Sequence, residues 1–174
     1  MIVKLYLSCE IVGKENSRAQ LASAKANGKL SAGYVWGYRS FDPRRTVQES
    51  VELATECGVD SPLLFLDCET YNPTGKKVED PGPDVAWLEA AFDEYAKLGK
   101  RPAMYSGLWW LTGYLRDLAV TRGVLKWLEQ YNGIPDLASV DLVDGIDRAE
   151  VCGHQFLDKP IDQSIFDGRV LRLG

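Results

Sequence analysis

A short apolar segment that ends in two acids constrains the fold of this chain more strongly than any other stretch. Residues 62–69 read PLLFLDCE and are followed by a turn-like YNPTG sequence. A continuous apolar run of this length predicts a strand that is buried on both faces and therefore parallel to its neighbours. Asp67 and Glu69 are two residues apart, so both side chains should leave the same face at the carboxyl end of the strand. In α/β barrels and open α/β sheets, this end carries the chemistry.

Strand-like and helix-like segments alternate along most of the chain. We predict strands over 2–8, 31–38, 62–69, 101–106, 124–131, 151–156 and 164–173. We predict helices that begin at the capping residues Ser17, Thr46 and Asp84, and a fourth helix over 108–118. This alternation implies an α/β protein with parallel strands and right-handed crossovers. Because no glycine-rich phosphate loop follows a strand and the last third is poor in helix, we expect an irregular (β/α) TIM-like barrel.

Size and charge narrow the possible classes of protein. At 174 residues and 45% hydrophobic, the chain can bury one core, and we expect residues 1–174 to form a single domain. Its 20 basic and 25 acidic residues give a net charge of −5, so there is no electrostatic basis for binding nucleic acid. No apolar run reaches membrane-spanning length, so membrane insertion is not expected either. The sequence favours no particular oligomeric state.

The cysteines and the single histidine do not predict a metal or nucleophilic site. Cys9, Cys57, Cys68 and Cys152 are scattered and form no CxxC pair, so a zinc site is not expected. His154 is the one histidine, and no serine lies in a G-x-S-x-G motif, which argues against Ser-His-Asp hydrolysis. We therefore predict no cofactor and a structural role for the histidine within a strand.

Asp67 and Glu69 allow three interpretations from their spacing alone. Glycoside hydrolases use two carboxyls, one kept protonated as the acid and one ionised, and repulsion between close carboxylates raises one pKa. The same two acids could hold a divalent cation such as Mg²⁺, which prefers oxygen ligands. They could also cap helices or pair with lysines. The residues themselves leave these alternatives open.

Aromatic residues recur at or just beyond the carboxyl ends of the predicted strands. They are Trp36, Tyr38, Tyr71, Tyr105 and Tyr131. Each could be an ordinary core or rim residue, but their recurrence at one end of several strands favours a substrate groove. Because flat aromatic faces suit the apolar faces of sugar rings, this groove would fit a carbohydrate.

Taken in order, several short motifs resemble those of the glycoside hydrolase family 25 lysozymes. Residues 67–69 (DCE) are similar to the family's D-x-E strand end, and residues 104–106 (MYS) to its I-Y-[ST] strand. Residues 129–131 (EQY), 154–156 (HQF) and 161–164 (IDQS) are similar to its Q-Y, W-Q-Y and V-D-x-N segments. The shared order of these motifs extends over most of the chain.

The resemblance implies a lysozyme-like glycosidase that cleaves the β-1,4 bond between N-acetylmuramic acid and N-acetylglucosamine in peptidoglycan. It implies that Glu69 is the acid/base, that Asp67 is a second active-site carboxylate and that Asp162 is a third. Gln155 would join the aromatic residues in binding substrate. Many members are bacteriophage endolysins or other cell-wall hydrolases. Because the sequence shows no signal peptide, we expect synthesis in the cytoplasm and release to the cell wall by lysis or non-classical export.

The N-terminal region departs from the family pattern. The family begins with a G-x-D-x-S strand that contributes a further Asp, whereas residues 3–7 (VKLYL) are similar to its second strand and residues 32–38 (AGYVWGY) to its G-x-Y-H-F strand. We therefore expect a barrel that is incomplete at the N-terminus and lacks the first strand with its Asp. Such a barrel is also compatible with a non-catalytic glycan-binding protein, and the D-x-E pair with a Mg²⁺-dependent hydrolase.

Overall fold

The computed structural model describes residues 2–4, 14–71, 79–159 and 163–170, and these form a seven-stranded sheet with helices. The strands are β1 (Ile2–Lys4), β2 (Ala32–Trp36), β3 (Leu63–Asp67), β4 (Arg101–Gly107), β5 (Leu125–Glu129), β6 (Val151–Leu157) and β7 (Gln163–Phe166). The helices are α1 (Lys14–Ala26), α2 (Pro43–Cys57), α3 (Val85–Lys97) and the short α4 (Leu108–Trp110). The strands lie side by side in chain order, with β1 to β6 parallel and β7 antiparallel to β6.

The sheet is curled, because residues on distant strands meet on its inner face. The rings of Tyr34 on β2 and Trp127 on β5 have centroids 6.3 Å apart. In a flat sheet these strands would lie about 14 Å apart, since neighbouring strands are about 4.8 Å apart. Phe65 on β3 likewise lies 6.3 Å from Phe166 on β7. Among the described residues β1 and β7 remain edges, which confirms the prediction of an irregular, incomplete TIM-like barrel.

Strand β3 shows why the sequence of this sheet lacks an alternating pattern. Phe65 is fully buried on the inner face, where it packs against Trp127 and Phe166. Leu66 points to the opposite face and belongs to a larger core cluster that includes Leu88 of α3. Because both faces of the strand are covered, both sets of side chains are apolar, as the continuous run in the sequence predicts.

Only one of the three predicted helix starts coincides with the observed start. Asp84 caps α3 as predicted, and its side chain accepts a backbone N–H of the first turn at 2.9 Å. The predicted start of α2 at Thr46 is wrong, because Asp42 is the cap and Pro43 begins the helix. Proline suits this first position because its missing N–H would have no partner there. The predicted start at Ser17 is also wrong, since Ser17 is buried within α1.

The predicted helix over 108–118 is shorter than expected. Only the α4 residues form α-helix, and Leu111–Leu115 continue as one π-helical turn. The turn ends when the N–H of Arg116, which has a φ of 64°, donates to the Leu111 carbonyl. Leu111 and Leu115 are both buried in this turn. None of the helices in the described ranges is apolar and long enough to cross a membrane.

The C-terminal strand is also shorter than predicted. Strand β7 ends at Phe166, and Gly168–Val170 form a 3-10 turn. This turn brings the Val170 carbonyl to the hydroxyl of Ser61, which donates a hydrogen bond to it. The contact covers the inner face near the start of β3, at the end of the barrel opposite to Asp67.

Candidate active site

The carboxyl ends of the parallel strands surround a cleft of about 260 Å³ that contains both acids of the D-x-E segment. Asp67 is the last residue of β3, and Glu69 follows it by two residues. Both side chains line the cleft, whereas Cys68 between them is buried in the core cluster on the other face. The lining residues are Tyr34, Trp36, Asp67, Glu69, Tyr105, Trp127, Glu129, Tyr131 and Gln155.

Hydrogen bonds from both neighbouring strands hold the end of β3. The Gly37 N–H donates to the Asp67 carbonyl at 2.9 Å, and the Cys68 N–H donates to the Tyr105 carbonyl at 2.9 Å. On the β4 side, the buried hydroxyl of Ser106 donates to the Cys68 carbonyl at 2.7 Å. The backbone that carries the two acids is therefore fixed on both sides.

A glycine supports the backbone of Glu69 from the loop before α3. Gly82 has a φ of 80°, and a Cβ atom at this position would overlap the main-chain carbonyl of Glu69. The Gly82 N–H donates to Oδ1 of Asp80 at 2.8 Å. The indole Nε1 of Trp110 donates to the Pro81 carbonyl at 3.1 Å. This loop is thus held in contact with the acid by bonds to both polar groups of the peptide unit that precedes the glycine.

Asp80 joins this loop to the loop that follows β2. Its carboxylate accepts the N–H of Arg39 at 3.1 Å, and the N–H and the hydroxyl of Ser40 at 3.2 Å each. Asp80 is buried, so these bonds and the one from Gly82 satisfy a charge that is largely removed from water. Sequence analysis assigned no role to this residue, because its partners come from a distant loop.

The electrostatic environment favours the protonated form of Glu69. Burial raises the pKa of Glu69 to about 9, and the neighbouring acids Asp67 and Glu129 add to the rise. The Gly107 N–H donates a hydrogen bond to the Glu69 carboxyl, which lowers its pKa and offsets only part of this rise. Among the described residues, Oε1 of Glu69 has no hydrogen-bond partner although it is buried. At neutral pH this carboxyl therefore holds a proton that it can donate.

Two residues of β5 line the cleft but were not identified from the sequence. Glu129 contributes a third carboxylate, and Oε2 of this group accepts a hydrogen bond from the Tyr105 hydroxyl at 3.2 Å. The ring of Trp127 lies 4.4 Å from that of Tyr105. The alternation of Leu125, Trp127 and Glu129 places all three on one face of the strand. That alternation, together with the position of Glu129 at a strand end, could have identified Glu129 as a site residue from the sequence.

Trp36, Tyr38 and Tyr71 form one aromatic cluster beside the cleft. The rings of Trp36 and Tyr38 are stacked with centroids 6.0 Å apart, and Tyr71 meets them edge-on at 5.8 and 5.6 Å. Only Trp36 lines the cleft, while Tyr38 and Tyr71 lie behind it. Contact of those two tyrosines with substrate stays a prediction.

The remaining predicted site residues lie on the β5 and β6 side. Gln155 is buried at the cleft and pairs with Glu129 in the sheet, and Tyr131 is 47% exposed at the rim. Next to Gln155, the buried ring of His154 has Nδ1 3.0 Å from the Asp136 carbonyl oxygen and Nε2 2.9 Å from the Gln130 carbonyl oxygen. His154 thus connects β6 to the loop that carries Tyr131, in agreement with the predicted structural role. Asp162 lies outside the described residues.

A second pair of aromatic side chains is exposed at the end of β4. Trp109 and Tyr114 are 46% and 48% exposed, and their rings meet edge-on with centroids 5.9 Å apart. The indole of Trp109 covers Gly107 so closely that a Cβ atom there would overlap it. Trp109 therefore covers the residue whose N–H bonds the Glu69 carboxyl.

The described side chains do not form a metal site. No group of three or more His, Cys, Asp or Glu in the described ranges could hold a metal ion. Three cysteines in those ranges, Cys57, Cys68 and Cys152, are free thiols. The chemistry that this arrangement can perform is proton donation by a buried carboxyl beside further carboxylates.

Neither a protein-family model nor a curated protein matches the sequence. Solved structures do match the fold. The modular autolysin LytC from Streptococcus pneumoniae gives a TM-score of 0.66 at 15% identity, covering 93% of this chain and 37% of that chain. LytC in complex with a synthetic peptidoglycan ligand gives a TM-score of 0.65 at 16% identity, covering 93% of this chain and 37% of that chain. GHIP, a glycosyl hydrolase 25 of S. pneumoniae participating in host cell invasion, gives a TM-score of 0.65 at 15% identity, covering 96% of this chain and 75% of that chain.

The match is one of architecture. This chain spans 37% of the LytC chain and 75% of GHIP, and the sequence identities of 15–16% are those of distant structures. Over nearly the whole of this chain, the strands and helices nevertheless superpose on those proteins. The chain therefore has a glycoside hydrolase 25-like fold, as the order of its motifs predicts.

Proposed function

We propose that this protein is a glycosidase that cleaves β-1,4 bonds in peptidoglycan or a related amino-sugar polymer. The observation that carries the proposal is the position of the Glu69 carboxyl, whose pKa is raised by burial, beside Asp67 in an aromatic-lined cleft. Glycosidic bond hydrolysis needs an acid that still holds its proton at the working pH, next to a group that stabilises positive charge on the sugar. The glycoside hydrolase 25-like fold supports the same reaction class.

In the proposed reaction, Glu69 donates its proton to the glycosidic oxygen while the bond from that oxygen to the sugar C1 breaks. The sugar develops oxocarbenium character, and the carboxylate of Asp67 stabilises that positive charge. Water then replaces the leaving sugar at C1, and the proton that it loses returns to the carboxylates of the site. Asp162 is the predicted third carboxylate, and its role stays a prediction.

The residues around the acids favour an amino-sugar polymer as substrate. Trp36, Tyr105 and Tyr131 present aromatic rings to the cleft, and such rings stack on the apolar faces of pyranoses. The amide of Gln155 offers both a donor and an acceptor to hydroxyl or acetamido groups. Because LytC is known in complex with a synthetic peptidoglycan ligand, peptidoglycan is the first polymer to test.

The test compares wild type with Glu69→Gln on purified cell walls, by loss of turbidity and release of reducing ends. Glutamine keeps the shape of the side chain but has no proton to donate, so we expect a loss of about 100-fold or more. Glu89→Gln, at an exposed position on α3, is the matched control and should retain full activity. Full activity in Glu69→Gln would show that the assignment of the acid is wrong.

A second candidate function is glycan binding without turnover. It is favoured by the exposure of three aromatic side chains at the rim, Trp109, Tyr114 and Tyr131. Exposed aromatic rings of this kind serve binding whether or not a bond is cleaved. Retention of the wild-type protein on purified cell walls, with no reducing ends released, would select this function over the glycosidase.

A further inference from the structure

Glu129 and Glu69 lie on either side of strand β4, with a glycine between them. In the sheet, Asp67 pairs with Tyr105, and Gly107 pairs with Glu129. Glu69 is two residues beyond Asp67 and so reaches the level of Gly107, whose N–H bonds its carboxyl. Gly107 has no side chain of its own and is covered by the Trp109 indole, and the carboxyl groups of the two glutamates are in hydrogen-bonding contact. A hydrogen bond between two carboxyl groups requires one proton, so one group is neutral and the other is ionised.

The Tyr105 hydroxyl holds the Glu129 side of this pair. It donates to Oε2 of Glu129 at 3.2 Å, which fixes the orientation of that carboxyl group. Burial and the nearby acids raise the pKa of Tyr105 far above its ordinary value, so the hydroxyl keeps its proton and remains a donor. The pKa of Glu69 is raised by burial, by the charge of Asp67 and by the hydrogen bond to Glu129, so the shared proton is assigned to Glu69.

Among the described residues, the groups that face the pair are acidic or neutral. Asp67 faces the pair from β3, Tyr105 from β4, and Tyr131 from the segment after β5. Gln155 faces it from β6. No lysine, arginine or histidine is among the residues that line the described part of the cleft. Within this described lining, the charge of Glu129 adds to the rise in the pKa of Glu69.

We propose that Glu129, oriented by the Tyr105 hydroxyl, is a positioning carboxylate that keeps the proton on Glu69 and returns it there after each cleavage. The inference rests on the proposed function, because it assigns a partner to the proposed acid. Before substrate binds, the Glu69 hydroxyl donates to the Glu129 carboxylate. When this proton moves to the glycosidic oxygen and the C1–O bond breaks, Glu69 is left as a carboxylate beside Glu129. Repulsion between the two charges then drives Glu69 to take up the proton that the attacking water releases.

The test is the titration of Glu69 in the full chain with the conservative variant Glu129→Gln. Glutamate labelled with ¹³C at the carboxyl reports each group by NMR, and loss of one resonance in Glu69→Gln assigns Glu69. Because Glu129→Gln removes a nearby negative charge, we expect the pKa of Glu69 to fall by about one unit or more. The basic limb of the kcat/KM profile should move to lower pH by the same amount. At pH values above that basic limb, the activity of Glu129→Gln would be about tenfold lower than that of wild type.

Two further variants make the outcome specific. Tyr105→Phe should also lower the Glu69 midpoint, because Glu129 then loses the hydroxyl that holds its carboxyl group in place beside Glu69. This variant tests the inference on its own if Glu129→Gln does not fold. Glu89→Gln, exposed on α3, should leave the midpoint unchanged.

The titration and the activity separate this inference from the proposed function. An unchanged Glu69 midpoint in folded Glu129→Gln would overturn the inference, even where Glu69→Gln abolishes cleavage and the proposed function stands. A shifted midpoint in a protein that cleaves no glycan would support the shared proton while the proposed function fails.

Discussion

Gly82 lies against the main-chain carbonyl of Glu69 in a left-handed conformation that leaves no room for a side chain. We expect Gly82→Ala to displace Glu69 and to strain its own backbone. The free energy of unfolding should fall by more than about 1 kcal/mol, because alanine is unfavourable at positive φ. Turnover should fall by up to about 100-fold, because small displacements of a reacting group are costly. Denaturant titration and reducing-end release measure the two effects.

Gly58→Ala is the matched control for this substitution. Gly58 ends α2 with a φ of 69°, and no atom lies within 4 Å of the position that a Cβ would take. This variant should lose a similar amount of backbone stability and keep its turnover. Equal losses of turnover in both variants would mean that contact with Glu69 is not the cause.

The raised pKa of Glu69 predicts how stability depends on pH. Its ordinary pKa is 4.5, and in the folded protein it is about 9. Between these values the folded state binds a proton that the unfolded state has lost, so the free energy of unfolding falls as the pH rises. Glu69→Gln removes this dependence. Between about pH 5 and about pH 9, the free energy of unfolding of the variant should rise by at least about 1.4 kcal/mol relative to that of wild type. This amount is the equivalent of one pKa unit. Urea denaturation at both pH values measures the difference, and a constant difference would contradict the prediction.

The exposed ring of Trp109 predicts a contribution to glycan binding. In a Glu69→Gln background, where cleavage is removed, we expect Trp109→Ala to weaken binding to soluble peptidoglycan fragments by about tenfold. Trp109→Phe should keep most of the affinity, because it keeps an aromatic face. Leu98→Ala is the control, since Leu98 is 40% exposed but follows α3, at the opposite end of the barrel. Equal affinities of Trp109→Ala and Leu98→Ala in calorimetric titration would rule out contact with the sugar.

A buried ion pair stabilises β5 on the face opposite to Glu129. The Lys126 ammonium is fully buried and donates to the carbonyls of Thr121 and Val124 at 2.7 and 3.0 Å and to Glu150 at 2.7 Å. We expect Glu150→Gln to lower the free energy of unfolding by about 3 kcal/mol, because it leaves a buried cation without its counter-charge.

The control for this pair is an ion pair on the surface. Arg18 and Glu56 are 3.1 Å apart with half-exposed side chains, so Glu56→Gln should cost less than about 1 kcal/mol. If chemical denaturation gives the same small loss for Glu150→Gln, the buried pair is not a stabilising contact.

Local patterns were enough to predict the strands and the position of the first two acids. The run before Asp67 is apolar because β3 is covered on both faces, and the two-residue spacing brings Asp67 and Glu69 to one cleft. Asp84 was predictable as a cap because an N-cap acts within one turn. At α2, two capping patterns competed, and Asp42 followed by proline prevailed over Thr46.

The sequence by itself determined the alternation of strands and helices along the chain and the acids at the end of β3, because both follow from short-range periodicity and burial. The tertiary structure alone decided that Glu129 meets Glu69 across Gly107 and that Gly82 supports the backbone of that acid. Those contacts depend on strand register, on loops from distant parts of the chain and on the absence of a side chain at a glycine. The raised pKa of Glu69 has the same origin, because burial exists only once the barrel has curled around the cleft.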